Sequence, residues 1–277
     1  MTMNEVRAFG LVLVLAALPQ LLGCWQQGMT YVEALEAVEE AALSSRGEAL
    51  TEEIIEISTD FTMGEAVETA AQELHDALVS QIDCSTVTLD GSTVVVDFGT
   101  LDDECVYQGH TYAGVWAVTI ERNDSADVLV NHAWTGLTNG DVTLDGTAEV
   151  TWSAAASSRR VKHDVAWTDV DGEVAATGDR TQTLIDPEVG LLAGIVVNGD
   201  RQWTSSTGDW SLEIDDVEMR GLDPVPQAGI YSLTTPDDVV VSLTFVRIDD
   251  HTIECTLAAP NKSWVFEVTS TGAISEG

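Results

Sequence analysis

The sequence predicts a mainly β protein, an antiparallel β-meander curled into a sandwich or open barrel, with a helical N-terminal segment. Apolar and polar residues alternate with a period of two from Cys84 onward. Such alternation is typical of antiparallel strands with one buried face. Turn dipeptides separate the runs, and no long helical pattern follows residue 82 to cross between strands. Residues 1–23, 24–82 and 83–277 are therefore predicted to be a signal peptide, a helical segment and a β domain.

The first segment has the layout of an export signal. Residues 11–22 form an apolar run after a polar start that carries Arg7. The run is too short for a mature transmembrane helix but fits the core of a signal peptide. It ends in Leu21-Leu22-Gly23-Cys24, which resembles the lipobox of bacterial lipoproteins. An ordinary signal peptide and an uncleaved anchor are the alternatives.

The lipobox resemblance implies an address in the cell envelope. Cys24 would become the mature N-terminus and carry several acyl chains, such as palmitate, which hold a protein on a membrane far more firmly than one chain does. Trp25 follows Cys24, where many lipoproteins retained in the inner membrane have Asp. This favours the outer membrane. Whether the protein faces the periplasm or the cell surface stays open.

Residues 24–82 carry helical patterns. Thr30 and Glu33 form a capping box, the pattern that starts a helix. Gly47 is expected to interrupt this helix, Thr51 to restart it, and Thr62 with Glu65 to begin a third segment. Apolar stripes at helical spacing indicate core packing rather than a groove for a partner: Tyr31, Leu35, Val38 and Ala42, then Val67, Ala71, Leu74, Leu78 and Ile82.

Residues 83–277 alternate in runs that predict roughly ten to twelve strands. Val128, Val130, His132 and Trp134 form one apolar face, and Val161, His163, Val165 and Trp167 another. Predicted turns fall at Asp90-Gly91, Asn139-Gly140, Asp145-Gly146, Asp171-Gly172 and Asn198-Gly199. Residues 87–92 and 142–147 are similar, which indicates shared hairpin chemistry rather than a repeat architecture.

The lipobox together with several β-domain motifs resembles a group of uncharacterised bacterial lipoproteins built from β-meanders. The motifs are Cys84, the run VVVDFG at 94–99, Cys105 and the run GHTYAG at 109–114. The resemblance covers residues 84–153 well and the rest only by pattern. It implies the fold and no activity.

The charge excludes one class of function. The chain has 11 Lys and Arg against 47 Asp and Glu, a formal net charge of −36, which would repel nucleic acid. An anionic membrane would also repel the body, so attachment is expected through lipidated Cys24 alone. The field should collect divalent cations diffusely. Adaptation to high salt is a rival explanation for the acidity.

Three cysteines remain beyond Cys24. In an exported protein one pair should form a disulfide. Cys84 and Cys105 enclose the shortest of the three possible loops, and a bridge there would stabilise the fold by roughly 3 kcal/mol. Cys255 is expected to be a free, buried strand residue.

No motif indicates a catalytic, cofactor or metal site. His132 and His163 lie on apolar strand faces, where core histidines are usual, and the spacings of zinc sites, serine nucleophiles and phosphate loops are missing. Acidic clusters suit turns better than calcium sites: Asp102-Asp103-Glu104, Asp169 with Asp171, Asp215-Asp216 with Glu218, Asp237-Asp238 and Asp249-Asp250.

Four of the eight tryptophans recur on apolar strand faces: Trp116, Trp134, Trp152 and Trp167. Exposed, they would form a platform for a sugar or a protein, but the alternation predicts that they belong to the core.

The sequence thus predicts a lipid-anchored envelope protein without enzymatic activity, with a structural, adhesion or binding role. Its protein or glycan partner is not identified by any motif. The alternatives are a carrier of a lipid or apolar ligand inside the curled sheet and a hydrolase with an unrecognised site.

Overall fold

The computed structural model describes residues 29–62, 67–107, 109–122, 127–153, 156, 158–170, 172–189, 193–220, 223–269 and 273–277. These residues form two helices, α1 (Tyr31–Thr62) and α2 (Val67–Gln81), followed by fifteen strands. The predicted class is confirmed, a mainly antiparallel β fold with a helical N-terminal segment. In this described part of the chain, neither helix is long and apolar enough to cross a membrane.

The strands follow one another along the chain after α2. They are β1 (Thr86–Asp90), β2 (Thr93–Asp97), β3 (Cys105–Tyr107), β4 (His110–Arg122), β5 (Val128–Thr138), β6 (Thr143–Ser153), β7 (Ser158–Asp169), β8 (Gly172–Leu184), β9 (Ile195–Ser205), β10 (Gly208–Arg220), β11 (Asp223–Thr234), β12 (Val240–Arg247), β13 (Thr252–Ala259), β14 (Lys262–Thr269) and β15 (Ile274–Glu276).

The strands pair in chain order and antiparallel, except that β3 pairs only with β4 while β2 also pairs with β4. The two ends of this sheet, β1 and β15, do not pair with each other, so the sheet stays open. The count exceeds the ten to twelve strands expected. Strands such as β3 and β15 have three residues each, which is too short for alternation to reveal them.

One face of the sheet is buried from β2 to β14. In β5 the side chains of Val128, Val130, His132 and Trp134 are buried, and in β7 those of Val161, His163, Val165 and Trp167, as predicted. Buried side chains from both helices and from most strands form a single core cluster. We call this buried side of the sheet the inner face.

Helix α1 lies along the inner face, and the sheet bends around it. Tyr31 packs on Phe266 of β14, with ring centroids 6.0 Å apart, whereas Glu53 contacts Tyr112 of β4. The helix rises about 33 Å between these two residues. A flat sheet would need about 48 Å for the ten strand spacings from β4 to β14. The sheet therefore curls, and α1 occupies the inside of the curve.

The start of α1 is predicted correctly, but its predicted break is not. The Thr30 backbone N–H donates to Glu33 Oε2 at 2.6 Å, and the Glu33 N–H donates to Thr30 Oγ1 at 3.3 Å, which is the capping box. The helix continues through Gly47. A glycine inside a helix costs about 1 kcal/mol, and contacts of Glu40 and Glu52 with the sheet, on either side of Gly47, hold the helix in place.

Helix α2 packs against the first strands through the predicted stripe, since Ala71, Leu74, Leu78 and Ile82 are all buried. A new helix was predicted to start at Thr62, but Thr62 is the last residue of α1, and α2 begins at Val67. Glu65 lies outside the described residues.

Two of the five predicted turns lie inside strands instead. Gly91 and Gly140 connect β1 to β2 and β5 to β6, as expected, with positive φ. Gly146 and Gly199 lie within β6 and β9. A Cβ atom on Gly146 would lie 2.3 Å from the carbonyl oxygen of Asp164, so glycine is required there by close strand approach. At Asp145-Gly146 and Asn198-Gly199 the glycine allows close approach of a neighbouring strand, although the same dipeptides are also typical of turns.

Candidate functional site

The contact between α1 and the inner face is the most elaborate polar arrangement among the described residues. It begins with three stacked rings. Trp116 of β4 and His132 of β5 lie nearly parallel with centroids 6.1 Å apart, and His132 stacks on Trp134 at 5.7 Å. All three rings are buried, so this stack forms part of the core beside α1.

His132 is a neutral core histidine. Trp116 Nε1–H donates to His132 Nδ1 at 3.2 Å, which leaves the imidazole proton on Nε2. Burial lowers the pKa of His132 to about 3, because the charged form would lose its hydration. Its Nε2 has no hydrogen-bond partner among the described residues. His132 is therefore unsuited to act as a general base near neutral pH.

Three arginines lie on the inner face, one on each of three neighbouring strands. Arg159 of β7, Arg180 of β8 and Arg201 of β9 are each at most 5% exposed. Removing a charged guanidinium group from water is costly, so each of these buried arginines needs strong compensation. Arg201 lies over the ring of Tyr231, 5.6 Å from its centroid.

For Arg159 and Arg180 the compensation comes from glutamates of α1. Arg159 Nη2 donates to Glu52 Oε2 at 3.2 Å and also contacts Glu56. Arg180 Nη2 donates to Glu52 Oε1 at 2.7 Å. Gln182 of β8 donates to the same oxygen at 3.2 Å. Charge-assisted hydrogen bonds thus attach the C-terminal half of α1 to the sheet.

The N-terminal half of α1 is attached through Glu40, which is 5% exposed. It accepts hydrogen bonds from Trp203 Nε1 at 3.0 Å, Ser205 Oγ at 3.0 Å and Thr207 Oγ1 at 2.6 Å. Trp203 in turn stacks on Trp210, with centroids 6.2 Å apart. A buried carboxylate with three donors is well satisfied, so this contact fixes the position of the helix.

Glu53 makes a third polar attachment. It accepts the hydroxyl hydrogen bond of Tyr112, and burial together with the Glu53 charge raises the pKa of the Tyr112 phenol. The Nε2 of exposed His110 lies 3.9 Å from Glu53. Four glutamates of α1, counting Glu40, Glu52 and Glu56, thus face partners on the sheet.

The four recurring tryptophans do not form a continuous row across the strands. Trp116 and Trp134 are paired across β4 and β5, but Gly146 stands opposite Trp134 on β6. Trp167 is opposite Leu144, and partly buried Trp152 is opposite Arg159, whose guanidinium lies 5.4 Å from the ring centroid. Trp134 and Trp167 are buried as predicted. These indoles belong to the core and do not form an outward platform.

The buried arginines escape motif analysis, yet the alternation contains their signal. Arg159 stands two residues before Val161, and Arg201 two residues before Trp203, in the same strands and on the same face. A charged residue in phase with a buried run is expected to have a buried partner. The partner itself, on a helix more than a hundred residues away, has no local signal.

Three of the four cysteines lie within the described residues, and they are placed as the sequence suggests. Cys84, just after α2, and Cys105 of β3 are paired as a disulfide, with their Cα atoms 5.2 Å apart. Cys255 is a buried free cysteine of β13, and burial raises the pKa of its thiol to about 12. At neutral pH this thiol is protonated and a poor nucleophile. Cys24 lies outside the described residues.

The acidic turns use their carboxylates to hold backbone. Asp103 accepts hydrogen bonds from Thr100 N–H at 2.7 Å and Oγ1 at 2.8 Å, and these bonds lower the pKa of Asp103. Asp249 accepts from the His251 N–H at 2.8 Å, which lowers the pKa of Asp249 in the same way. Within the described ranges, His, Cys, Asp and Glu side chains form no group of three that could hold a metal ion.

Salt should stabilise this protein through its net charge. We expect sodium chloride to raise Tm, because screening reduces repulsion among carboxylates in the folded body. Calcium at equal ionic strength should add nothing more if divalent cations bind only diffusely. Melting curves in a sodium chloride series, with and without calcium, test this expectation. A larger response to calcium would reveal a specific site, and a flat salt response would contradict the repulsion.

Two concavities are found among the described residues. A groove of about 530 Å³ crosses β4 to β7, and its lining includes outward-facing Ala133 and Thr147 together with His132, Ala148 and His163. A pocket of about 370 Å³ lies at the start of α1, between Met29, Trp210 and Lys262. Neither contains the buried arginines.

Comparison of the chain with protein-family models, curated proteins and solved structures gave no match.

Proposed function

We propose that this protein is a lipid-anchored protein of the cell envelope, in the outer membrane, with a non-catalytic structural, adhesion or binding role. The observation that carries the proposal is the position of α1. It lies inside the curve of the sheet and contacts strands from β4 to β14, so helix and sheet share one core and form one body. Such a body suits support or binding better than turnover.

Two groups that an enzyme could use, His132 and Cys255, are poorly suited to catalysis. The pKa of His132 is lowered to about 3, and the pKa of the Cys255 thiol is raised to about 12. The imidazole therefore stays neutral and the thiol stays protonated near pH 7. Both side chains are also buried in the core. These properties support a non-catalytic role.

The body would lie close to the membrane. Met29, which is buried, stands five residues after Cys24, a distance that an extended chain covers in about 17 Å. Acyl chains on Cys24 would therefore hold the start of α1 near the lipid surface. The acidic body would be repelled by anionic lipid, so the acyl chains would supply the attachment.

Replacing Cys24 with serine tests the anchor. We expect Cys24→Ser to shift the protein from the outer-membrane fraction to the soluble fraction, or to leave it unprocessed, because serine has no thiol to accept the lipid. Sucrose-density fractionation and the mass of the mature N-terminal peptide measure both outcomes.

Cys255→Ala is the matched control, since it removes a cysteine that lies in the core. It should leave fractionation and processing unchanged. If Cys24→Ser is processed normally and stays in the outer-membrane fraction, the anchoring proposal is wrong.

A further inference from the structure

The buried face of α1 carries polar as well as apolar residues. Leu50, Ile54 and Ile55 pack into the shared core. Glu40, Ser44, Thr51 and Ser58 are buried polar residues of the same helix. The hydroxyl of Ser44 has no hydrogen-bond partner among the described residues. A helix that packs on a sheet usually presents an apolar stripe, so these buried polar residues are an unusual part of the contact.

The inner face also has hydrogen-bond donors without acceptors. Within the part of the chain that the structure describes, His132 Nε2, Trp134 Nε1 and Trp167 Nε1 are buried and unpartnered. Each unsatisfied buried donor costs free energy, and such groups are rare in native structures. His132 and Trp134 belong to β5, a strand that α1 contacts directly. α1 therefore supplies no acceptor to these three donors.

The chemistry of the face combines cations with apolar surface. Arg159 and Arg180 present their guanidinium groups to the carboxylates of Glu52 and Glu56. Around them the inner face is built from buried aliphatic side chains, among them Val150, Val161 and Val197. Paired guanidinium groups recognise carboxylates and phosphates, whereas the aliphatic surface suits an alkyl chain.

We propose that the inner face between β5 and β9 binds an anionic amphiphile, a carboxylate or phosphate headgroup joined to an alkyl chain. The headgroup takes the place of Glu52 and Glu56 on Arg159 and Arg180, and the chain replaces part of α1 over the aliphatic surface. The glutamates of α1 act as internal stand-ins for the headgroup when no ligand is bound. This site deepens the proposed binding role by naming its ligand class.

Residue size alternates across the strands beside the donors. His132, Ala148, His163, Gly178 and Arg201 follow one another across β5 to β9 in register. Small residues thus alternate with large polar ones along this line. The ring of His163 leans over Gly178, where a Cβ atom would lie 2.4 Å from the ring. Ala148 separates the rings of His132 and His163, and in the proposed complex the alkyl chain crosses the sheet over Ala148.

Binding is measured with oleate, on the full chain carrying Cys24→Ser and purified without detergent. Tryptophan fluorescence reports ligand arrival, because Trp134, Trp167 and Trp203 lie on the inner face. We expect oleyl alcohol, which has the same chain and no charge, to bind at least about tenfold more weakly than oleate. Amide hydrogen exchange should accelerate in α1 and stay unchanged in α2 when oleate binds.

Variants at the headgroup site separate recognition from simple destabilisation. Arg159→Met should weaken oleate binding about tenfold or more, because a charge-assisted contact is lost. Its matched control is Arg160→Met, since Arg160 is the next residue, faces outward at 53% side-chain exposure and pairs with Asp179. Glu52→Gln with Glu56→Gln should tighten oleate binding about tenfold, because the competing carboxylates become neutral.

The opposite directions of these effects make the test decisive. A merely structural ion pair predicts that the two glutamine substitutions weaken the fold and do not improve binding. Equal affinity for oleate and oleyl alcohol, absence of binding, or equal effects of Arg159→Met and Arg160→Met would each overturn the proposal. Lysophosphatidylglycerol is titrated beside oleate, and the tighter of the two identifies phospholipid or fatty acid as the source. The lipid anchor at Cys24 is tested separately by membrane fractionation. Failure of the anchoring proposal and failure of the binding proposal can therefore be distinguished.

Discussion

Replacing Trp167 with alanine should lower the free energy of unfolding by about 3–5 kcal/mol, the usual cost of truncating a fully buried indole. Trp167 is 1% exposed and lies on β7 between Leu144 of β6 and Val174 of β8. Its Nε1 has no hydrogen-bond partner among the described residues. The loss would therefore come from packing and the cavity left behind, without a contribution from a broken hydrogen bond. Urea unfolding followed by far-UV circular dichroism measures it.

The control for Trp167 is Val170→Ala, three residues further along the chain. Val170 is 92% exposed, so this change should stay within about 0.5 kcal/mol of the unchanged protein. A Trp167→Ala variant that loses less than about 1 kcal/mol would contradict the placement of this indole in the core. It would restore the idea that the tryptophans form an outward surface.

The strands were predictable because alternation is a local property. Each residue of β5 or β7 faces the side opposite to its neighbours, so the core residues can be read from the sequence without knowing which strand pairs with which. The meander order then follows from short connections, which place consecutive strands side by side. The capping box of Thr30 and Glu33 was predictable for the same reason, since both partners lie within one helical turn.

The position of α1 on the inner face was not predictable, because it depends on contacts between residues that are distant in the sequence. Glu52 meets Arg159 only when the sheet curls around the helix, and nothing near either residue specifies that meeting. The same limit explains the mistaken break at Gly47. A local cost of about 1 kcal/mol argues for ending the helix there, but the sheet contacts of Glu40 and Glu52 outweigh it.

Only the histidines of the candidate site could be predicted from the sequence as it was interpreted. His132 and His163 were placed correctly on buried strand faces, where they remain in the structure. The arginines that define the proposed headgroup site were missed, although their phase along β7 and β9 marked them as inward. In a chain with 11 basic residues, three buried guanidinium groups on adjacent strands are a large fraction of the positive charge. Their positions, which alternate in step with the buried apolar residues of the same strands, predict that they face inward.

The acidity of the chain and its buried arginines fit one scheme. Several carboxylates of turns lie at the surface and hold backbone N–H groups, as those of Asp103 and Asp249 do. Glu40, Glu52, Glu53 and Glu56 of α1 instead face the sheet. The helix is therefore attached through ionic and hydrogen-bonding contacts in addition to its apolar ones, and the proposed anionic ligand would compete for the ionic contacts. An attachment made only of apolar contacts would offer no such competition.

Substitution of Gly146 can distinguish the observed strand from the turn that the sequence predicts at this position. Gly146 has φ of 135° in the middle of β6, and its missing Cβ leaves room for the Asp164 carbonyl oxygen. Gly172 has φ of 137° at the start of β8, but a Cβ there would meet nothing within 4 Å. The two positions impose the same backbone cost on alanine and differ in the steric clash.

Gly172→Ala should lower the free energy of unfolding by about 1–3 kcal/mol, the cost of holding a non-glycine residue at this φ. Gly146→Ala should lose a further 1–3 kcal/mol, roughly, because the new methyl group pushes β6 and β7 apart at a position with no flexible side chain to yield. Urea unfolding of both variants, with amide exchange of the β6–β7 pair, measures the difference. Equal losses in the two variants would mean that Asp145-Gly146 forms an open turn and that β6 does not run through it.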